Sequence, residues 1–100
     1  MILKINNGKL ELHKDNGTYI RTIAHKDVSN ADINEDKTLI VITYDNGKVE
    51  IKKENGTYVR TIVHNKAVSA QWVDEGIQIE LENGKTEIRK ENGTFLRNIH

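Results

Sequence analysis

Cysteine is absent from the chain, which excludes disulfide staples, thiolate nucleophiles and cysteine metal sites. Proline is absent too, and no low-complexity stretch interrupts the sequence, so nothing marks an internal boundary and residues 1–100 read as one small domain. Net charge is also missing. Fifteen basic residues balance fifteen acidic ones, which removes the long-range attraction that draws a chain to nucleic acid or anionic lipid, and neither is expected as a partner. No apolar run approaches the ~20 residues of a membrane span. The opening MILKINNGK holds too short an apolar run for a signal peptide, so a cytoplasmic location is the simplest expectation. A 3.6-residue apolar period is found in no window, so helix is not expected.

What the chain does have is repetition. NGKLELHKDNGTYIRTIAH from Asn7 to His25 recurs as NGKVEIKKENGTYVRTIVH from Asn46 and as NGKTEIRKENGTFLRNIH from Asn83, at offsets of 39 and 37 residues. A period in that range belongs to stacked or radial repeats. Six Asn-Gly pairs, at Asn7, Asn16, Asn46, Asn55, Asn83 and Asn92, sit between segments of alternating apolar residues. Such pairs predict hairpins, with type I′ geometry the expected turn because Asn and Gly both tolerate positive φ.

The alternation predicts eleven strands: 2–6, 9–14, 18–24, 28–33, 39–44, 48–53, 57–63, 67–72, 77–81, 85–90 and 94–99. VSNADI and AVSAQW, between the copies, carry small residues suited to a crowded inner strand. The expected fold class is all-β: antiparallel four-stranded meander blades, about 2.75 per chain, forming part of a β-propeller. The three units are an incomplete blade at 1–25 and blades at 26–63 and 64–100. So few blades cannot close a ring alone. Closure by a second copy, a homodimer of six blades, is therefore expected. Leu3 and Ile5 at one end and Phe95, Leu96 and Ile99 at the other are the interface candidates. The competing expectation is that the chain is cut from a longer propeller.

The second copy resembles a WD-repeat blade. Asn46-Gly47 stands where that family has Asp-Gly, Arg60-Thr61-Ile62 reads like its outer strand, and His64 falls at its Gly-His pair. The resemblance implies a propeller used as a protein-interaction module. Lys52-Lys53 occupies the Trp-Asp position, as do His13-Lys14 and Arg89-Lys90, so the family's buried hydrogen-bond network is not encoded.

Few residues suggest chemistry. His25 and His64 are equivalent and are expected one blade apart, too far for a shared ion at ~2.0–2.1 Å bonds, so no metal or cofactor is expected. His13 takes the place of Lys52 and Arg89 as a polar strand residue, and His100 is terminal. Trp72 has no aromatic counterpart; it reads as core filling or as a stacking platform for a sugar or a peptide side chain at the central channel. Arg21, Arg60 and Arg97 recur and are expected to bond a neighbouring blade's carboxylate, while the alternating Lys and Glu are expected on a solvated face. No nucleophile, base and paired carboxylates converge, so catalysis is not expected. The functional alternatives are a non-catalytic interaction scaffold, a sugar-binding lectin-like propeller, and a structural or designed repeat without ligand; the binding candidates are Trp72, His25 and His64.

Overall fold

The computed structural model describes residues 1–99 and is built of strands, with no helix among the described residues. His100 lies outside them. Eleven strands form three antiparallel meanders. Sheet I holds β1 (Ile2–Asn6), β2 (Lys9–His13) and β3 (Tyr19–Ala24). Sheet II holds β4 (Val28–Ile33), β5 (Leu39–Tyr44), β6 (Val49–Lys53) and β7 (Tyr58–Val63). Sheet III holds β8 (Ala67–Val73), β9 (Gly76–Leu81), β10 (Thr86–Arg89) and β11 (Phe95–Asn98).

The sheets stack face to face, and two apolar layers hold them. Leu10, Leu12 and Ile23 of sheet I meet Ile40 and Ile42 of sheet II. Val41, Val49, Ile51 and Ile62 on the opposite face of sheet II meet Ala70, Ile77 and Ile79 of sheet III. Sheet II is therefore apolar on both faces, which strand alternation permits only if both faces are covered. The small residues of β4 and β8 let those two strands lie side by side at one end of the stack.

Five of the six Asn-Gly pairs depart from the type I′ expectation. At Gly17, Gly47, Gly56, Gly84 and Gly93 only the glycine has positive φ. Its N–H bonds the carbonyl three residues back, as Gly47 N does to Tyr44 O at 2.9 Å. The preceding Asn uses its side chain instead of its backbone: Asn46 Oδ1 accepts the Lys48 N–H at 3.0 Å. This is a type I turn followed by a left-handed bulge residue. Only Asn7-Gly8, with φ of 54° and 77°, is type I′.

The difference shifts a register. Leu3 pairs with Leu12 and Ile5 with Leu10, whereas their counterparts across Ile51 and Val49 are Val41 and Thr43. Counting from the Asn-Gly pairs would have matched Leu3 and Ile5 to Ile42 and Tyr44. A one-residue slip turns every side chain over. Leu3 thus packs against the layer shared with sheet II, and Ile2 and Lys4 face outward.

One further hairpin turn, Asn34 to Lys37, has no glycine. Lys37 adopts φ 62°, and Asn34 Oδ1 accepts the amides of Thr38 and Leu39. A non-glycine residue there costs about 1–2 kcal/mol, partly offset by the extra chain entropy that glycine loses on folding. Lys37→Gly is therefore expected to raise stability by roughly 0.5–1 kcal/mol, read as a higher midpoint in urea. A lowered midpoint would contradict the turn.

Candidate functional site

Trp72 ends up half-buried near the end of β8, packed against the layer between sheets II and III. Its indole N–H donates to Asp32 O at 3.2 Å, and its backbone N–H to Asp32 Oδ2 at 2.8 Å. Beside it opens a cleft of about 380 Å³ lined by Asp32, Asn34, Glu35, Asp36, Trp72 and Asp74. The two hairpin ends of β4–β5 and β8–β9 bring these carboxylates to the indole edge. Spacing alone gave Trp72 no acidic company.

His25 and His64 are exposed, in the connections β3–β4 and β7–β8. His64 borders a second cleft, of about 420 Å³, with Lys66, Leu81, Glu87 and Arg89. At the corresponding place between sheets I and II, Tyr44 stands where Leu81 does. Its hydroxyl donates to Glu50, and burial together with that carboxylate pushes its pKa upward. Among the described residues no three His, Cys, Asp or Glu side chains are grouped to hold a metal.

The alternating charges are not all on a solvated face. Glu50 and Glu87 are buried, because Glu50 lies opposite Ile42 on the face toward sheet I and Glu87 opposite Ile79 on the face toward sheet II. A buried carboxylate needs a partner, and each repeat carries a basic residue two positions on. Arg89 Nε bonds Glu87 at 2.8 Å, Lys52 Nζ lies 4.0 Å from Glu50, and His13 Nε2 lies 3.0 Å from Glu11. His13 Nδ1 faces Gly17 O at 2.9 Å, and with acceptors at both nitrogens the imidazolium is favoured and the pKa is raised. The Glu-x-basic spacing, present three times, was the available signal.

The recurrent arginines differ from expectation in a similar way. Arg21 Nη1 donates to the backbone carbonyl of Glu54 in sheet II at 2.7 Å, and Arg60 Nη1 to that of Glu91 in sheet III at 3.3 Å. Each reaches a turn of the following sheet, but takes a carbonyl, not a carboxylate. Arg97, with no following sheet, folds onto Glu75 of its own sheet. Nη1 donates to Oε2 at 2.6 Å, and Nη2 pairs with Oε1. This pairing lowers the Glu75 pKa and raises that of Arg97.

The two outer faces of the stack are uncovered. Sheet I presents Ile2, Lys4 and Glu11, with His13 buried beside them. On its outer side sheet III carries Gln78, Glu80 and Arg97 over buried Thr86 and Ile88, with exposed Leu96 in its outer strand and exposed Ile99 just after it. Of the interface candidates, Leu3 is turned inward and Ile5 is exposed at the β1 edge. Phe95 lies over Arg89, its ring centroid 6.0 Å from the guanidinium carbon. On the outer face of sheet III, β9 is more polar than the sequence ends MILKI and FLRNI suggested: Gln78 and Glu80 replace Val41 and Thr43.

No protein-family model matches the chain, and no curated protein matches it in sequence.

Proposed function

We propose that the chain is a non-catalytic, WD-repeat-like propeller module. In this reading it self-associates through the outer faces of sheets I and III and serves as a rigid interaction scaffold. The observation that carries the reading is one position in three settings. Ile23 and Ile62 are 3% and 6% exposed beneath the following sheet, while Ile99, at the same position of sheet III, is 45% exposed. Leu96 follows the same rule: Ile20 and Val59 pack against the two internal layers, and Leu96 is exposed. Sheet III thus keeps apolar residues whose counterparts are covered, and Arg97 keeps a side chain whose counterparts bridge to a next sheet. A second copy is the surface that fits, because sheet I already presents the matching turn: Asp15 stands where Glu54 and Glu91 do. Two chains supply six sheets, within the range in which propellers close.

The test is solution mass. Light scattering at micromolar concentration is expected to give twice the 11.4 kDa chain mass. A stable, cooperatively melting monomer would overturn self-association.

A second reading, a sugar or other small-ligand binder, is favoured by the Trp72 cleft, where an indole edge lies among carboxylates able to accept hydroxyl hydrogens. A glycan-array signal inhibited by a monosaccharide, and lost in Trp72→Ala, would favour it.

A further inference from the structure

Sheet I has a vacancy that sheets II and III do not. In sheet II the inner strand β4 pairs with β5, and in sheet III β8 pairs with β9, but among the described residues β1 has no partner on its inner side. Strand β1 contacts β4 as β5 contacts β8, so the first hairpin leaves the same lateral space beside β4 that β4 itself fills beside β8.

The edge of β1 is set up to receive a strand. The type I′ turn at Asn7-Gly8 makes Asn6 and Lys9 a hydrogen-bonded closing pair. Bonding alternates along an antiparallel ladder, so Lys4 and Ile2 bond to β2, while Leu3 and Ile5 direct their N–H and C=O groups away from it, toward the vacancy. Ile5 is 44% exposed, and neither a proline nor a bulge interrupts the edge; Lys4 is the strand's one charged residue, and it bonds to β2 rather than outward.

A second, independent feature states what the incoming strand should carry. On β8 the amides of Ala70 and Trp72 point away from β9 and are received by side chains of β4: Asn30 Oδ1 at 3.4 Å and Asp32 Oδ2 at 2.8 Å. The corresponding amides on β4 are those of Ala31 and Ile33. They face the place where sheet I has no strand. Residues of β4 that pair with Val41 and Thr43 are the ones that reach β8 in this way. In sheet I the places of Val41 and Thr43 are taken by Leu3 and Ile5. An added strand would therefore put its amide-capping side chains opposite Leu3 and Ile5.

From this geometry we infer that β1 is a docking edge for an extended peptide of another polypeptide. The peptide adds antiparallel to Ile2–Asn6, and it is read by small side chains with Asn or Asp at two alternate positions, the pattern Asn-Ala-Asp that β4 itself displays at Asn30–Asp32. Backbone bonds to Leu3 and Ile5 hold it. Its carboxamide and carboxylate cap Ala31 and Ile33, and small residues let it pass beside β4. This mode of binding does not depend on whether two chains associate.

The probe is a fluorescein-labelled synthetic peptide with the sequence of residues 26–34, KDVSNADIN. Fluorescence anisotropy should show saturable binding to the full chain. Amide hydrogen exchange followed by NMR should show new protection at Leu3, Ile5, Ala31 and Ile33. Replacing Asn30 and Asp32 of the peptide by Ala is expected to weaken binding at least about tenfold, since two capping bonds of roughly 1 kcal/mol each are lost. In the protein, Ile5→Pro removes an outward donor without touching the β1–β2 ladder and should abolish binding, while Ile5→Ala, which keeps the amide, should retain it. Because proline could unsettle the hairpin, the peptide substitutions provide the same test on the unaltered chain. No saturable binding, equal affinity for the substituted peptide, or protection confined to β3, β7 or β11 would each overturn the assignment.

Discussion

Gly47→Val is expected to cost about 3–5 kcal/mol, a large share of the ~5–15 kcal/mol typical of a whole domain. Gly47 holds φ +85°, where an L-residue loses about 1–2 kcal/mol and a β-branched one more. Strain is only the first contribution. A Cβ at Gly47 would lie 2.3 Å from Lys66 N and 3.0 Å from Ala67 N, both backbone atoms that cannot swing aside. The connection entering β8 would have to move away. With it would go the bond from Ala67 N to Gly47 O, 3.0 Å, which stitches the β5–β6 turn of sheet II to the start of sheet III. Gly84→Val is the control. Its φ is +87°, but nothing lies within 4 Å of its Cβ, so only the strain applies and about 2 kcal/mol is expected, the upper end of the ~1–2 kcal/mol range because valine is β-branched. Urea melts of the two variants should separate clearly. Coincident midpoints would mean that the turn at Gly47 does not press on the next sheet.

The same turn shows where reading the sequence succeeded and where it stopped. Period-two alternation and Asn-Gly punctuation located all eleven strands to within one or two residues, because both signals are local and physical. The turn class was not legible from the Asn-Gly pair. It depends on the residue before the pair: Asp15, Asp45, Glu54, Glu82 and Glu91 extend five loops into type I geometry, while Asn6 stays in β1. That single difference decides which of Leu3 and Lys4 faces inward. The turn between β4 and β5 was expected, but its left-handed residue, Lys37, was not, because it is not a glycine. Burial of Glu50 and Glu87 escaped because a strand shows its alternation but not which neighbour covers each face. The Trp72 cleft joins hairpin ends 40 residues apart in sequence, a distance over which no spacing rule speaks.

Lys52 illustrates the practical consequence. Its Nζ donates to Ile23 O at 3.0 Å and stands beside buried Glu50, so a carboxylate there would meet another carboxylate between two sheets. Lys52→Asp is thus a destabilising change, unsuitable as a neutral surface control. Exposed Lys53 serves that purpose.

The largest expected effect on assembly comes from the two outer faces. Leu96→Asp places a charge at a position that is already 36% exposed in the single chain, so the fold should survive. In a dimer joined as sheets I and II are joined, that charge would take the covered place that Ile20 and Val59 hold in the internal layers, and association should be lost. Light scattering should fall to the single-chain mass while the far-ultraviolet spectrum is kept, and Lys53→Glu should change neither.

A charge swap then fixes which faces meet. Lys4 lies across from Glu11, the place that Ile42 and Ile79 hold across from Glu50 and Glu87. Glu80 lies across from Thr86, the place that Thr43 holds across from Val49. The outer faces therefore depart from the internal layers in opposite senses, a cation on one and an anion on the other. Lys4→Glu alone, or Glu80→Lys alone, sets like charges together and should weaken association by about tenfold, as juxtaposed like charges at an interface do. Combining both should restore it, and the whole effect should shrink in high salt, where the Debye length falls to about 3 Å. If the two single losses simply add in the double variant, Lys4 and Glu80 do not face each other, and sheet III does not dock on sheet I.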